Sequence, residues 1–232
     1  MKVTLKSNVD ENISALAAKV CRGSGKDYDP EVDNSEIIKK VVGYGHESIM
    51  EHVYFTFLIE GISRVVSHQL VRHRIASYSQ ESQRHVKPKG GFGGWYVIPE
   101  SIRKKPYGIQ MFNRAIDKIV GVYNALEQMG IPKEDARFIL PNATRTSILV
   151  TMNARTLMNF FEHRICNRAQ WEIKRMATMM LYLLKKSSPI LFEDWEPKCG
   201  RCKEPCEKEL NTELDLGSIE SGHTISYEYD GG

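Results

Sequence analysis

The chain lacks any long hydrophobic run. No apolar stretch approaches the roughly 20 residues that a membrane-spanning helix needs, so the sequence predicts neither a membrane span nor a membrane partner. Its first residues, Met1-Lys2-Val3-Thr4-Leu5-Lys6, carry no apolar core of the signal-peptide kind, and a cytoplasmic location is the expectation. Cysteine is scarce and odd in number: Cys21, Cys166, Cys199, Cys202 and Cys206. Without an export signal, that favours reduced thiols over a disulfide framework. Several chemistries lack their motif. There is no Gly-x-Ser-x-Gly elbow, no His-Glu-x-x-His and no Gly-x-x-x-x-Gly-Lys loop. The run Gly90-Gly91-Phe92-Gly93-Gly94 is not a dinucleotide fingerprint, because the preceding strand, the following helix and the spacing are missing. There is no internal repeat. A bound dinucleotide would need another architecture.

What the chain does have is enough length, 232 residues, for one sizeable domain with a real core. Its apolar fraction of 41% and charged fraction of 26% are ordinary for a globular protein. The charge is unevenly placed. Residues 207–232 carry seven acids against Lys208, a segment charge of −6, which leaves +9 on residues 1–206. A basic body suits anionic ligands, and nucleic acid is the competing partner, although no known nucleic-acid module is present.

Periodicity predicts helices over Asp10 to Val20 and over Ser35 to Val42, the latter with Ser35 as N-cap. Val53 to Ile59 reads as a strand, and Ile62 to Arg72 returns to helical spacing. Tyr96-Val97-Ile98 is a short strand candidate. Gln110 to Met129 is an amphipathic helix that Gly130 can end, and Pro132 starts a shorter one. Thr144 to Met152 alternates as a strand. Ala154 to Lys186 is helical, with a break near Cys166-Asn167. Trp171, Met176, Met179 and Met180 fit the core of that helix. From Glu196 onward the tail has charges and turn residues but little periodicity, and it reads as peripheral.

The densest chemistry lies in Arg72-His73-Arg74-Ile75-Ala76-Ser77-Tyr78-Ser79-Gln80-Glu81-Ser82-Gln83-Arg84. Three arginines offer planar donor forks that match phosphate and carboxylate, and serine hydroxyls complete a cradle for anions. The expected placement is a helix C-terminus, where cations are favoured, followed by a loop. Further polar clusters occur at Gly45-His46-Glu47-Ser48 with Glu51-His52, at Asp135-Ala136-Arg137 with Leu140-Pro141, and at Asn153-Ala154-Arg155 with Asn159, Arg164 and Ala169-Gln170-Trp171-Glu172-Ile173. Arg155 and Asn159 share a helix face. Arg164 lies roughly 140° around from Asn159 on an unbroken helix, so it points elsewhere.

These stretches, in this order, resemble the flavin-dependent thymidylate synthases over roughly residues 10 to 190. The resemblance implies an α+β fold: a single mixed domain over 1–195, with helices packed on an antiparallel sheet and active sites shared in a homotetramer. Residues 196–232 form a cysteine-containing acidic tail outside it. It implies conversion of dUMP to dTMP by a methyltransferase reaction, with methylenetetrahydrofolate as carbon donor, NADPH-reduced FAD as hydride donor and no cysteine nucleophile. Ser48, Arg72, His73, Arg74, Asn153, Arg155 and Asn159 match flavin contacts. Gln69, Arg72, Gln80, Glu81, Ser82, Gln83, Arg84, Arg137 and Arg164 match dUMP contacts, with Arg164 as the catalytic group. The chain departs from the family at Ser79 and Gln80, where an asparagine and a glutamate are common.

Blander roles compete at several positions. Asn153 fits a helix cap, Ser82 a loop-capping hydroxyl, His52 a packed strand start and Arg137 a surface pair with Glu134 or Asp135. No metal is expected at His46, Glu47, Glu51 and His52. Cys199, Cys202 and Cys206 have a spacing that zinc or an iron–sulfur cluster could use, but no clear fourth ligand.

Overall fold

Alternating side chains build a single antiparallel sheet. The computed structural model describes residues 1–86, 94–197, 218–221 and 223–229. Its strands are β1 (Lys2–Asn8), β2 (Tyr54–Ser63), β3 (Ser77–Gln80), β4 (Arg145–Asn153), β5 (Ser218–Ser221) and β6 (Thr224–Ser226). They pair in the order β3-β4-β2-β1-β6-β5, antiparallel throughout. Val3 and Leu5, then Phe55, Phe57 and Ile59, then Ile148, Val150 and Met152 are all buried, as the two-residue period of a strand requires. Between these, Tyr54 and Leu149 are exposed.

The helices are α1 (Ile13–Cys21), α2 (Ser35–Gly43), α3 (Arg64–Leu70), α4 (Glu100–Arg103), α5 (Pro106–Gln128), α6 (Lys133–Ala136), α7 (Ala154–Arg164), α8 (Trp171–Ser187) and α9 (Pro189–Phe192). Helix α8 runs through the main core, and Ile173, Met176, Met179, Met180, Leu183 and Leu184 are all fully buried. Edge-on ring contacts from Phe192 to Phe55, at 5.7 Å, and to Phe161, at 6.4 Å, link sheet, α7 and α9. A smaller core of Trp95, Tyr96, Ile98 and Ile116 packs α5 against the segment before α4. Among the described residues no helix is long and apolar enough to cross a membrane.

The structure corrects several expectations. Ser35 is the first residue of α2 rather than its cap; Asn34 holds that place, and the Asp33 carboxylate accepts from the Ser35 N–H at 2.9 Å. The strand through Ile59 continues to Ser63 past a bulge at Gly61, whose φ of +72° is open to glycine. Helix α3 therefore starts at Arg64, with the Ser63 hydroxyl accepting from the Val66 N–H at 3.3 Å. Ser77–Gln80, expected as loop, is the edge strand β3. Tyr96 makes only an isolated bridge to Thr144. The break near Cys166 is real: α7 ends at Arg164 and α8 begins at Trp171, where the Gln170 side chain accepts from Glu172 and Ile173 N–H groups, each at 3.0 Å. Glu47–His52 is a 3-10 turn instead of extended chain, and Val53, not the exposed His52, is the buried residue there.

The tail is not peripheral throughout. Strand β6 pairs with β1, and the Tyr229 hydroxyl donates to Glu172 at 2.8 Å. Glu172 is 1% exposed and also accepts from the N–H and hydroxyl of Ser63, at 2.8 and 2.6 Å. Three donors satisfy this buried carboxylate. The network links the chain's last described residues to the cap of α3, and so to the arginine signature that follows α3.

Candidate functional site

The turn after α3 and the first turns of α7 face one another across a cavity of about 1340 Å³. Arg72, His73, Arg74 and Ile75 line it from the first element, and Asn153, Arg155 and Asn159 from the second. The 3-10 turn contributes Glu47, Met50 and Glu51, while Ile190, Leu191 and Trp195 supply an apolar wall. Thus six of the seven predicted flavin contacts share one cavity. The seventh, Ser48, is exposed on the 3-10 turn and does not line it.

The charge of this cavity differs from the basic cradle expected. Lys39, Arg72, Arg74 and Arg155 are matched by Glu47, Glu51, Glu162, Asp194 and Glu196. Arg155 is clamped by Glu51 at 2.5 Å and Glu47 at 3.4 Å, and Lys39 pairs with Asp194 at 3.6 Å. Arg72 and Arg74 make no ion pair among the described residues, so their donor forks are available to an anion. The side chain of Asn153 caps α7, accepting from the Thr156 N–H at 2.8 Å. The free amides of that helix end add a partial positive charge to the same wall.

Arg164 points away from this wall, as its angle from Asn159 required. Its Nε–H donates to Nε2 of His73 at 3.1 Å and its Nη2 to the Gln69 carbonyl at 3.4 Å. Burial lowers the His73 pKa to about 4, helped by Arg164 and His163. The imidazole is therefore neutral near pH 7, with its proton on Nδ1 and Nε2 as acceptor. Its ring sits edge-on to Phe160 at 4.9 Å. The Tyr78 hydroxyl, kept protonated by burial with its pKa pushed up to about 12, lies 2.8 Å from the His73 carbonyl and 2.9 Å from that of Leu70. Tyr78 is a positioning residue that sequence reasoning missed; its only signal was an aromatic inside a polar run.

The second half of the signature faces elsewhere. Glu81 and Gln83 line a cavity of about 330 Å³ with Arg64, Trp95, Arg145, Thr146 and Ser147. The Glu81 carboxylate accepts from the Ser147 N–H at 3.1 Å, and Gln80 donates to the Thr146 hydroxyl at 3.3 Å. Ser82 caps its own turn, its hydroxyl accepting from the Arg84 N–H at 3.2 Å. The carboxylate of Glu134 pairs with Arg84 at 2.8 Å, while its carbonyl accepts from Arg137 Nε at 3.1 Å. One residue thus ties together two predicted nucleotide contacts from separate segments. Gln69 sits on α3 and donates to the Val65 carbonyl at 3.3 Å. In this chain Gln69, Arg72 and Arg164 form one group of the predicted nucleotide contacts, and Gln80–Arg84 with Arg137 another. Arg64 and Arg145, in the smaller cavity, carried no motif and were not foreseen.

Among the described residues, no three or more His, Cys, Asp or Glu side chains gather as a metal site. Cys199, Cys202 and Cys206 lie outside the described residues, as does most of the Gly90–Gly94 run.

The sequence profile of a family described as "Thymidylate synthase complementing protein" matches residues 3–190. The chain is 47% identical to the flavin-dependent thymidylate synthase of Geobacter sulfurreducens over 213 residues, covering 88% of this chain and 91% of that protein. It is 45% identical to the enzyme of the same name from Sulfolobus acidocaldarius over 206 residues, covering 86% and 77%. Its fold is similar to that of thymidylate synthase X from Helicobacter pylori, solved with FAD and dUMP. That match has a TM-score of 0.70 and 26% identity, and it covers 83% of this chain and 97% of the other.

Proposed function

Because this chain belongs to the flavin-dependent thymidylate synthases, we propose that it methylates dUMP reductively to dTMP, with methylenetetrahydrofolate as carbon donor and NADPH-reduced FAD as hydride donor. The observation that carries this reading is Arg164, held beside His73 of the signature with no carboxylate paired to it among the described residues.

FAD fits the larger cavity. Its volume exceeds the ~300–1,000 Å³ of ordinary small-molecule sites, and the wall of Ile190, Leu191 and Trp195 suits a planar ring system. Arg72 and Arg74 suit a pyrophosphate; Asn153, Arg155, Asn159 and Ser48 are the further contacts proposed. When bound, FAD supplies the reducing equivalents that complete the methyl group.

The protein's own residues bind, orient and polarise. Gln69, Arg72, Gln80, Glu81, Ser82, Gln83, Arg84 and Arg137 hold the nucleotide. Arg164 stabilises negative charge on the uracil ring as N3 gives up its proton, which raises electron density at C5. No thiol need add to the ring. The nucleotide contacts fall into two groups on one protomer, which supports active sites shared between subunits of a cytoplasmic homotetramer.

The test is tritium release from dUMP labelled at C5, with FAD, NADPH and methylenetetrahydrofolate each omitted in turn. Release that needs all three is the expected outcome. Flavin-loaded protein that releases none is a flavoprotein of another activity.

A further inference from the structure

Arg164 is partly buried, and burial is the main cause that lowers its pKa below that of a free guanidinium. A guanidinium in that situation is ordinarily paired with a carboxylate. Arg164 has two neutral acceptors instead, His73 Nε2 and the Gln69 carbonyl. The charge that acts on it is another cation, Arg72. His73 is itself fixed on three sides: Phe160 meets its ring, Tyr78 holds its carbonyl, and Arg164 uses its lone pair. The charged or titratable groups that act on the ring are Arg164 and His163, both from α7, and both oppose its protonation.

We propose that His73 is a positioning residue for catalytic Arg164: a neutral acceptor that fixes one edge of the guanidinium and leaves its positive charge uncompensated for the substrate ring. This rests on the role given to Arg164 above. A carboxylate at the same place would orient the guanidinium equally well, but would cancel the charge that stabilises an anionic ring. Lysine in place of Arg164 would not use this contact, since it has no Nε edge separate from its charged tip. A shift of about 1 Å in a reacting group costs on the order of 10²-fold in rate, so fixing this edge matters to turnover.

The experiment compares His73→Phe, His73→Gln and His73→Glu at saturating flavin, with a crystal structure of each. Phenylalanine keeps the ring contact with Phe160 but has no acceptor. Glutamine offers a neutral oxygen at similar reach, and glutamate a charged one. Turnover is expected to fall about 10²-fold in His73→Phe, with the Arg164 guanidinium displaced, and to recover at least tenfold from that level in His73→Gln. His73→Glu is expected to keep Arg164 in place yet remain at least tenfold slower than His73→Gln. An unmoved Arg164 or near-normal turnover in His73→Phe overturns the proposal, and equal turnover in the glutamine and glutamate variants overturns the part played by neutrality. If His73→Phe does not fold, the glutamine–glutamate contrast still decides. A wild-type protein that releases no tritium, together with an Arg164 that shifts in His73→Phe, overturns the enzymatic reading and leaves the positioning contact standing.

Discussion

The front of the arginine signature, Arg72 to Ile75, and its back, Gln80 to Arg84, present opposite states of readiness. In front, Arg72 and Arg74 open into the larger cavity without ion partners among the described residues. At the back four of the five polar side chains are already engaged by protein: Gln80 with Thr146, Glu81 with Ser147, Ser82 with its own turn and Arg84 with Glu134. The edge strand β3 separates the two. An anion entering the front meets free donors, whereas a phosphate reaching Arg84 must displace Glu134. Both members of that pair are about half exposed, so displacement costs little, about 0–1 kcal/mol. One short run of sequence thus supplies two half-sites that differ in what they already hold.

The largest effect expected is beside the front, at the arginine that meets His73. Arg164→Ala should lower turnover about 10²–10³-fold while flavin stays bound, and Cys166→Ala should stay active. A folded but inactive Cys166→Ala protein would establish a covalent cysteine route. Next, Arg74→Ala should weaken flavin binding and Arg84→Ala should raise the dUMP KM, each by about 10–100-fold for a charge-assisted contact worth ~1.5–3 kcal/mol. Flavin titration and KM measured on both variants test the division; if each substitution shifts both ligands equally, the front and back are one site. Smaller still, Glu134→Ala should tighten dUMP binding up to about fivefold by freeing Arg84, because its backbone contact with Arg137 survives. Weaker binding would instead make Glu134 part of the cradle.

A further effect is on stability. His73 titrates at about 4 in the folded chain against an ordinary 6.5, so on acidification the unfolded chain takes up this proton first. Its contribution to stability is complete above about 6.5 and declines between 6.5 and about 4. Urea midpoints across that window should therefore fall less in His73→Gln than in the unchanged protein; parallel curves would show that His73 is not buried as described.

Much of the fold was legible where local patterns are strong. Strands β2 and β4 carry enough alternating apolar residues to be recognised, and the break between α7 and α8 follows from its polar content. Strands β1, β3, β5 and β6 were not legible. Strand β3, Ser77-Tyr78-Ser79-Gln80, is polar and exposed on alternate residues, and only pairing along the β4 edge makes it a strand. Strands β5 and β6 are short, and β1, which pairs with β6, lies more than two hundred residues away in sequence. The clustering of site residues was legible as composition, yet the acidic balance of the larger cavity was not, since Glu162, Asp194 and Glu196 belong to no motif.

By itself the sequence determined which chemistry is present: arginine forks for anions, a basic body, the helical faces that put Arg155 and Asn159 together and Arg164 apart, and the family likeness these carry. Such features are local, set by residue type and by the 3.6-residue turn. Only the tertiary structure decided how that chemistry is partnered. It brought Arg164 onto His73 across 91 positions, gave Arg155 to Glu51 across 104, and anchored the tail on buried Glu172 across 57. Those pairings depend on packing a sheet against α7 and α8, and burial then sets which groups stay charged.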